Sequence, residues 1–242
     1  MAKMQLYRII NPLFEQTGEE MDTSQRNLTP RLQRTVALTP VFELIVEFWK
    51  NTGCQLTTAV QALTEWNLYC HVLETVINHG DEFFSAQNIN NQDYTILKTK
   101  DILLYFNKYV SLGIFLDPNE SWAIWEYLWE RGRQQLHSNC ISRFECVFAF
   151  ATKRDADKYL QERQTEDKEH NTHTHIFDKT CAIDVINSNR AESYDMRWLD
   201  CISIFSTYDL YEKVVNRYWN RKMTKNPLME VLFQGTYCLR NM

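Results

Sequence analysis

The chain has 242 residues, of which 44% are hydrophobic, 13% aromatic and 24% charged, a composition that is typical of a globular protein and excludes a disordered one. Its net charge of −5, from 26 basic and 31 acidic residues, argues against a general nucleic-acid binder, which usually has a basic surplus. No apolar run reaches the roughly 18 residues that a membrane-spanning helix needs, so we expect no membrane partner.

The seven cysteines are scattered, odd in number and without a C-x-x-C pair. This pattern favours reduced, mostly buried thiols over a secreted disulfide framework. We therefore expect the protein to act in a cytoplasm, either that of its own cell or that of a cell into which it is delivered.

The first half of the chain is predicted to be mostly helical. Met4–Ile10 has the pattern of a strand, and 15–38 that of a loop. Helical spacing then covers Phe42–Trp49, with Gly53 as a stop, and Thr57–Asn78, with Gly80 as C-cap. Two more predicted helices span Ile102–Val110 and Trp122–Leu136, the second entered through residues 117–120.

Strand patterns return after residue 140. Phe144–Thr152 is dense in β-formers and precedes a charged helix over Arg154–Gln164. A polar loop at 165–174, a strand at 175–186, a helix at Ser206–Asn220 and a strand over EVLFQGTYCL complete the chain. The pattern predicts an α+β fold: a single domain whose sheet is built from both chain ends, with a helical insert over about 40–136 between its first and second core strands.

Several common functional motifs are absent from the sequence. The six glycines are isolated, so neither G-x-G-x-x-G nor a P-loop is present. His170, His173 and His175 lie in a polar segment without the further ligands that zinc requires, so we predict no metal site. Trp122, Trp125 and Trp129 fall on one helical face, which indicates core packing or, if exposed, a partner surface.

Three short segments carry the candidate site. They are Arg8 in LYRII, Ser142-Arg143-Phe144 leading into Phe148, and Glu230 on the last strand. Each also has an ordinary explanation, namely a surface arginine, a strand boundary with plain core packing, and an edge carboxylate.

The order of these segments resembles that of ADP-ribosyltransferases. More narrowly, residues 121–160 are similar to a bacterial domain family of unknown function that is grouped with this fold. The similar features are Ser-Arg-Phe before an apolar strand, DMRWLD (195–200), Tyr218-Trp219 and a closing EVLFQG. They continue into TYCLRNM, so EVLFQG is interpreted as native sequence rather than as a protease site left by an expression vector. The resemblance implies a split sheet of the ADP-ribosyltransferase-like kind.

The resemblance also implies a function: an NAD-dependent mono-ADP-ribosyltransferase, a glycosyltransferase with NAD as its substrate. Glu230 would stabilise the positive charge that develops on the ribose as nicotinamide leaves. Phe148, with Tyr7 in reserve, would stack on nicotinamide. Arg8 and Arg143 would clamp ribose or pyrophosphate, and Ser142 would contact the ribose or brace Glu230.

The acceptor of ADP-ribose stays open, although the acidic net charge favours a protein over nucleic acid. Analogy with the superfamily implies a toxin or effector, with which an inhibitory or antitoxin protein is associated. The alternative is a non-catalytic interaction protein on a degenerate version of the fold, which binds a partner through the helical insert. Its motivation is that several relatives carry His at the position of Arg8, and that residues 15–120 match none of the motifs.

Overall fold

The computed structural model describes residues 5–13, 15–24, 30–80, 82–87, 94–117 and 120–242. Met4, Pro118, Asn119, residues 25–29 and the side chain of Trp122, which belong to the predictions above, lie outside the described part. The strands are β1 (Gln5–Ile10), β2 (Glu20–Asp22), β3 (Phe83–Gln87), β4 (Tyr94–Lys98), β5 (Val147–Phe150), β6 (Lys179–Asp195) and β7 (Met229–Arg240). The helices are α1 (Pro30–Ala37), α2 (Thr39–Thr52), α3 (Leu56–Thr64), α4 (Trp66–His79), α5 (Thr99–Ser111), α6 (Ser121–Leu136), α7 (Lys153–Glu169) and α8 (Tyr208–Trp219). Helices and strands together confirm the α+β class.

The residues divide into two compact units. A sheet unit comprises Met1–Leu32, Arg133–Trp198 and Arg217–Met242, and a helical unit comprises Gln33–Gly132 and Leu199–Asn216. The helical unit covers most of the predicted insert and adds the segment at 199–216. The description of the whole chain as one domain with an insert stays a prediction.

The main sheet of the sheet unit closes on itself. Its strand order is β2-β7-β5-β1-β6, and β6 pairs in addition with β7. All the pairings are antiparallel. The first and last strands of the chain therefore belong to one sheet, as predicted.

Alternate side chains of these strands point into the closed sheet, because successive residues of a strand face opposite sides. The inner face is almost entirely apolar and fully buried. Its core members are Leu6, Ile10, Val147, Ala149, Cys181, Ile183, Val231, Phe233, Tyr237 and Leu239. This core explains why the odd-numbered positions of β5 and β7 are hydrophobic, and it leaves the even-numbered positions facing outwards.

Three predicted boundaries were wrong. The predicted loop at 15–38 contains β2 and α1. The segment at 165–174 is helical as far as Glu169, because α7 continues through it. Strand β6 begins at Lys179 and extends to Asp195. The second half of β6 is polar, and its pairing with β7 overrides the local pattern.

Helix α2 of the helical unit has its apolar face buried along its length. Trp49 is fully buried, and its ring packs edge-on to Tyr208 with the ring centroids 5.4 Å apart. Its indole Nε1 donates to the carbonyl of Ser206 at 3.2 Å. Gly53 and Gly80 end α2 and α4 in the left-handed conformation, so both predicted C-caps are confirmed.

Helices α3 and α4 replace the single helix predicted over Thr57–Asn78, because Glu65 adopts an extended conformation between them. The unit also contains a two-stranded antiparallel sheet, β3–β4, that the sequence did not predict. Of the aromatic stripe on α6, Trp129 is buried and Trp125 half-buried. Core packing therefore accounts for Trp129.

The structure also bears on membranes, metals and thiols. Within the described ranges, no helix is long and apolar enough to cross a membrane. The same residues contain no cluster of three side chains that could hold a metal ion. His175 lies with Nδ1 2.7 Å from a carboxylate oxygen of Asp178. All seven cysteines are free thiols, of which Cys54, Cys146 and Cys181 are buried.

Candidate functional site

Glu230 is held at the centre of a buried polar cluster on the outer face of the closed sheet. On β7 it lies opposite Phe150 of β5 and Tyr194 of β6. Only 3% of the residue is exposed. Its Oε1 accepts a hydrogen bond from the Tyr218 hydroxyl at 2.7 Å and lies 3.3 Å from Nη1 of Arg143. Its charge is therefore balanced inside the protein.

Arg143 reaches this cluster from a short 3-10 helix, Arg143–Glu145. The Ser142 hydroxyl caps that helix by accepting from the backbone N–H of Phe144 at 3.2 Å. Arg143 is only 6% exposed, and its Nη1 also donates to the Tyr218 hydroxyl at 2.8 Å. Its guanidinium lies over the ring of Phe148, 4.4 Å from the centroid. Ser142 thus positions the turn that carries Arg143.

Two aromatic residues complete the cluster from β6 and α8. Tyr194 stacks on Tyr218 with the ring centroids 4.9 Å apart, and Trp219 packs edge-on to both. Burial raises the pKa of the Tyr218 phenol well above its ordinary value, and the Glu230 carboxylate adds to this effect. Tyr218 therefore stays a neutral donor to Glu230. Tyr194 was missed from the sequence because it lies in the polar half of β6.

The Arg8 side chain lies on the opposite face of the sheet from this cluster. Tyr7 pairs with Phe150, which pairs with Glu230, so Tyr7 shares the outer face with Glu230. Arg8, the next residue, faces the other side of the sheet and pairs with Cys181. Its Nη1 donates to the backbone carbonyl of Phe148 at 3.0 Å, and its Nη2 lies 2.5 Å from Oε1 of Glu15. The structure thus brings the side chains of Arg143, Phe148 and Glu230 together, whereas Arg8 contacts only the backbone of Phe148 among these three residues in the described contacts.

A family comparison covers most of the chain. The model of a family described as "Protein of unknown function (DUF2441)" matches residues 53–239. The chain belongs to this family. No curated protein matches it. The DUF2441 match includes Arg143, Phe148, Tyr218 and Glu230, whereas Tyr7 and Arg8 on β1 lie outside it.

A cavity of about 400 Å³ lies in the helical unit. Helix α3 forms one wall with Leu56, Val60 and Thr64, which are spaced four residues apart and so share one helical face. Burial extends to the opposite side of α3, where Thr58 and Ala62 lie. The α3 sequence LTTAVQALT contains no charged residue, which is the sequence signal of a helix that is enclosed on several sides.

Two loop segments and α6 provide the other walls of this cavity, with Leu116, Ile124 and Ile204. Ile204 is held in place because its carbonyl accepts from the backbone N–H of Thr57 at 2.7 Å. The Tyr109 hydroxyl accepts from the backbone N–H of Leu116 at 3.1 Å. Hydrogen bonds to the backbone therefore fix both apolar walls.

A second cavity, of about 460 Å³, lies in the sheet unit at the end of α7 and is lined by polar groups that include Asp167, Lys168 and His173. Asp167 accepts from the Thr172 hydroxyl at 2.6 Å and from the backbone N–H of His175 at 2.6 Å. These hydrogen bonds lower the pKa of the Asp167 carboxyl. The Asp167 carboxylate is thus occupied in closing the turn after α7.

Asp195 supports the strand that carries Tyr194, and it leads to a prediction about pH. It is 1% exposed. Burial alone raises the pKa of its carboxyl, but hydrogen bonds from Thr224, Leu228 and Arg197 outweigh burial and place the pKa below its usual value. A lowered pKa in the folded state stabilises the fold above the unfolded value of about 3.9. That contribution is lost as the pH falls through the folded-state pKa.

We therefore expect the free energy of unfolding, measured in urea between pH 7 and pH 3, to fall on the acid side of about pH 4. At pH 7, Asp195→Asn should lower the free energy of unfolding by about 2 kcal/mol, because the NH2 group of asparagine is a donor that faces the backbone N–H donors around this position. The substitution should also reduce the fall in the free energy of unfolding below about pH 4. Asp209→Asn, at an exposed position, is the control. This prediction is contradicted if the free energy of unfolding of Asp195→Asn falls as steeply below about pH 4 as that of the wild type.

Proposed function

We propose that this protein is a non-catalytic binding protein and that the cavity of the helical unit is its ligand site. The observation that carries the proposal is the cavity itself, about 400 Å³ in volume, whose walls are mostly leucine, isoleucine, valine and threonine with two acidic residues, Glu65 and Asp117. Ligand sites in proteins are typically concave and mainly apolar, with a few polar groups, and have volumes of about 300–1,000 Å³.

The state of Glu230 supports the same proposal. A catalytic carboxylate must contact the reacting sugar, but Glu230 is 3% exposed and its Oε1 is engaged by Tyr218 and Arg143. The ring of Phe148 is covered by the Arg143 guanidinium. In this arrangement the Glu230 carboxylate is enclosed by protein and one face of the Phe148 ring is occupied, so we derive no catalytic step from the cluster.

ADP-ribosyl transfer from NAD to a macromolecule, in the manner of a toxin or effector, is the second candidate function. One observation favours it: Arg143, Phe148 and Glu230, which the resemblance assigns to NAD, lie together although they are up to 87 residues apart in the chain. An ADP-ribosyltransferase-like fold and catalysis by Glu230 both stay predictions.

The binding proposal is tested by filling the cavity. Val60→Phe places a ring in the space that Val60 lines. We expect the wild-type protein to bind small apolar probes such as 2-phenylethanol, measured by ligand-detected NMR. Val60→Phe should abolish this binding, while Val36→Phe, the same change at a position that is exposed in the same unit, should keep it. Equal binding by the wild type and Val60→Phe would place the ligand elsewhere and overturn the proposal.

A separate measurement addresses catalysis. We expect no release of nicotinamide when the purified protein is incubated with labelled NAD and a cell lysate, and no transfer of label to any fraction. Release that Glu230→Gln abolishes, in a variant whose circular dichroism spectrum matches the wild type, would replace the binding proposal with the transferase. The labelled fraction would then identify the acceptor.

A further inference from the structure

We infer that the ligand of the helical-unit cavity is a small organic cation with an apolar body, such as an arylalkylamine. This inference rests on the proposed function and specifies its ligand. The apolar walls described above suit the body of such a molecule. The remaining residues that line the cavity favour a positive charge on the ligand.

Two carboxylates line the cavity. They belong to Glu65, which follows α3, and Asp117, which follows Leu116. Both residues are exposed. The other residues that line the cavity in the described part of the chain are leucine, isoleucine, valine and threonine. Among the described residues of the lining, the charged side chains are thus both acidic.

Arg34, a basic residue close to this lining, is engaged by another carboxylate. It lies with Nε 2.6 Å from Oε1 of Glu120 and Nη2 2.8 Å from Oε2, a two-pronged ion pair. Its Nη2 also donates to the carbonyl of Phe115 at 2.9 Å. A cationic ligand in the cavity would be attracted to the carboxylates of Glu65 and Asp117, which line it.

Thr64 also provides a hydrogen-bond acceptor. Its hydroxyl donates its proton to the carbonyl of Val60 at 2.8 Å. A hydroxyl whose proton is used in this way offers its lone pairs to a further donor. An ammonium group has donors only, so it matches Thr64, whereas a carboxylate ligand would meet acceptors and negative charge.

The test compares three probes of similar size, namely 2-phenylethylamine, 2-phenylethanol and 3-phenylpropanoate, by ligand-detected NMR titration. We expect the amine to bind more tightly than the alcohol and the carboxylate to bind most weakly. Glu65→Gln and Asp117→Asn should each weaken amine binding by about fivefold, as expected for the loss of one charge near the surface. Binding of the alcohol should not change. Glu74→Gln, which removes an exposed carboxylate of α4, is the matched control.

The outcomes separate this inference from the proposed function. If all three probes bind equally, and Val60→Phe abolishes their binding, the cavity is a ligand site but the preference for a cation is refuted. That preference is also refuted if Glu65→Gln and Asp117→Asn leave amine binding unchanged. If none of the probes binds the wild-type protein, the proposed function falls and this inference falls with it.

Discussion

Glu230→Ala is expected to destabilise the protein by about 3–5 kcal/mol, because it leaves the buried guanidinium of Arg143 without its carboxylate. Arg143 is 6% exposed and lies 3.3 Å from the Glu230 carboxylate. The substitution also removes the acceptor of the Tyr218 hydroxyl. Urea unfolding at neutral pH, monitored by tryptophan fluorescence, measures the change.

Two further variants sharpen this prediction. Glu230→Gln keeps an oxygen for Tyr218 and should cost less than Glu230→Ala. The double variant Arg143→Met/Glu230→Leu removes both charges. Its loss in the free energy of unfolding should therefore be smaller, by more than about 1 kcal/mol, than the summed losses of Arg143→Met alone and Glu230→Leu alone. Glu169→Ala, at an exposed position at the end of α7, is the control. A Glu230→Ala protein as stable as this control would show that the ion pair does not form.

Gly235→Ala is the second change with a large expected effect, at about 3 kcal/mol or more. Gly235, in the EVLFQG segment, has φ +149°, which L residues rarely adopt. An added Cβ would lie 2.1 Å from the backbone carbonyl oxygen of Asn187 and 2.9 Å from Cζ of Phe233. The clash with Asn187 involves backbone on the neighbouring strand β6, so a side-chain movement cannot relieve it.

Gly18→Ala is the matched control for this effect. Gly18 also has a positive φ, +89°, but an added Cβ there meets no atom within 4 Å. Gly18→Ala should therefore lower the free energy of unfolding only by the cost of placing an L residue at a positive φ, about 1–2 kcal/mol. We expect Gly235→Ala to lower the midpoint of thermal unfolding well beyond Gly18→Ala. Equal midpoints would mean that β6 and β7 pair less closely than the structure indicates.

The local elements of the sequence predicted much of the fold. The helices around Phe42–Trp49 and Trp122–Leu136 were recognised from their apolar spacing, and Gly53 and Gly80 were recognised as helix ends. Strand β7 was recognised from its β-forming residues. These features depend on neighbours within a few residues, so a local pattern is sufficient to find them.

The candidate site was predicted only in part, because it depends on contacts across the chain. Arg143, Phe148 and Glu230 were selected correctly as neighbours. The position of Arg8 was not foreseen, since the pairing of Tyr7 with Phe150 decides which face of the sheet each residue takes. The cavity of the helical unit was also missed, because its walls come from three regions that are distant in sequence, around residues 56–65, 116–124 and 204.

The sequence by itself determined the α+β class, the strands at both chain ends and most of the helices, since periodicity and β-propensity express these locally. Tertiary structure alone decided how accessible each candidate residue is. The partners that bury Glu230, and the loops that leave a cavity beside α3, come from distant parts of the chain, and burial is a property of the packed whole.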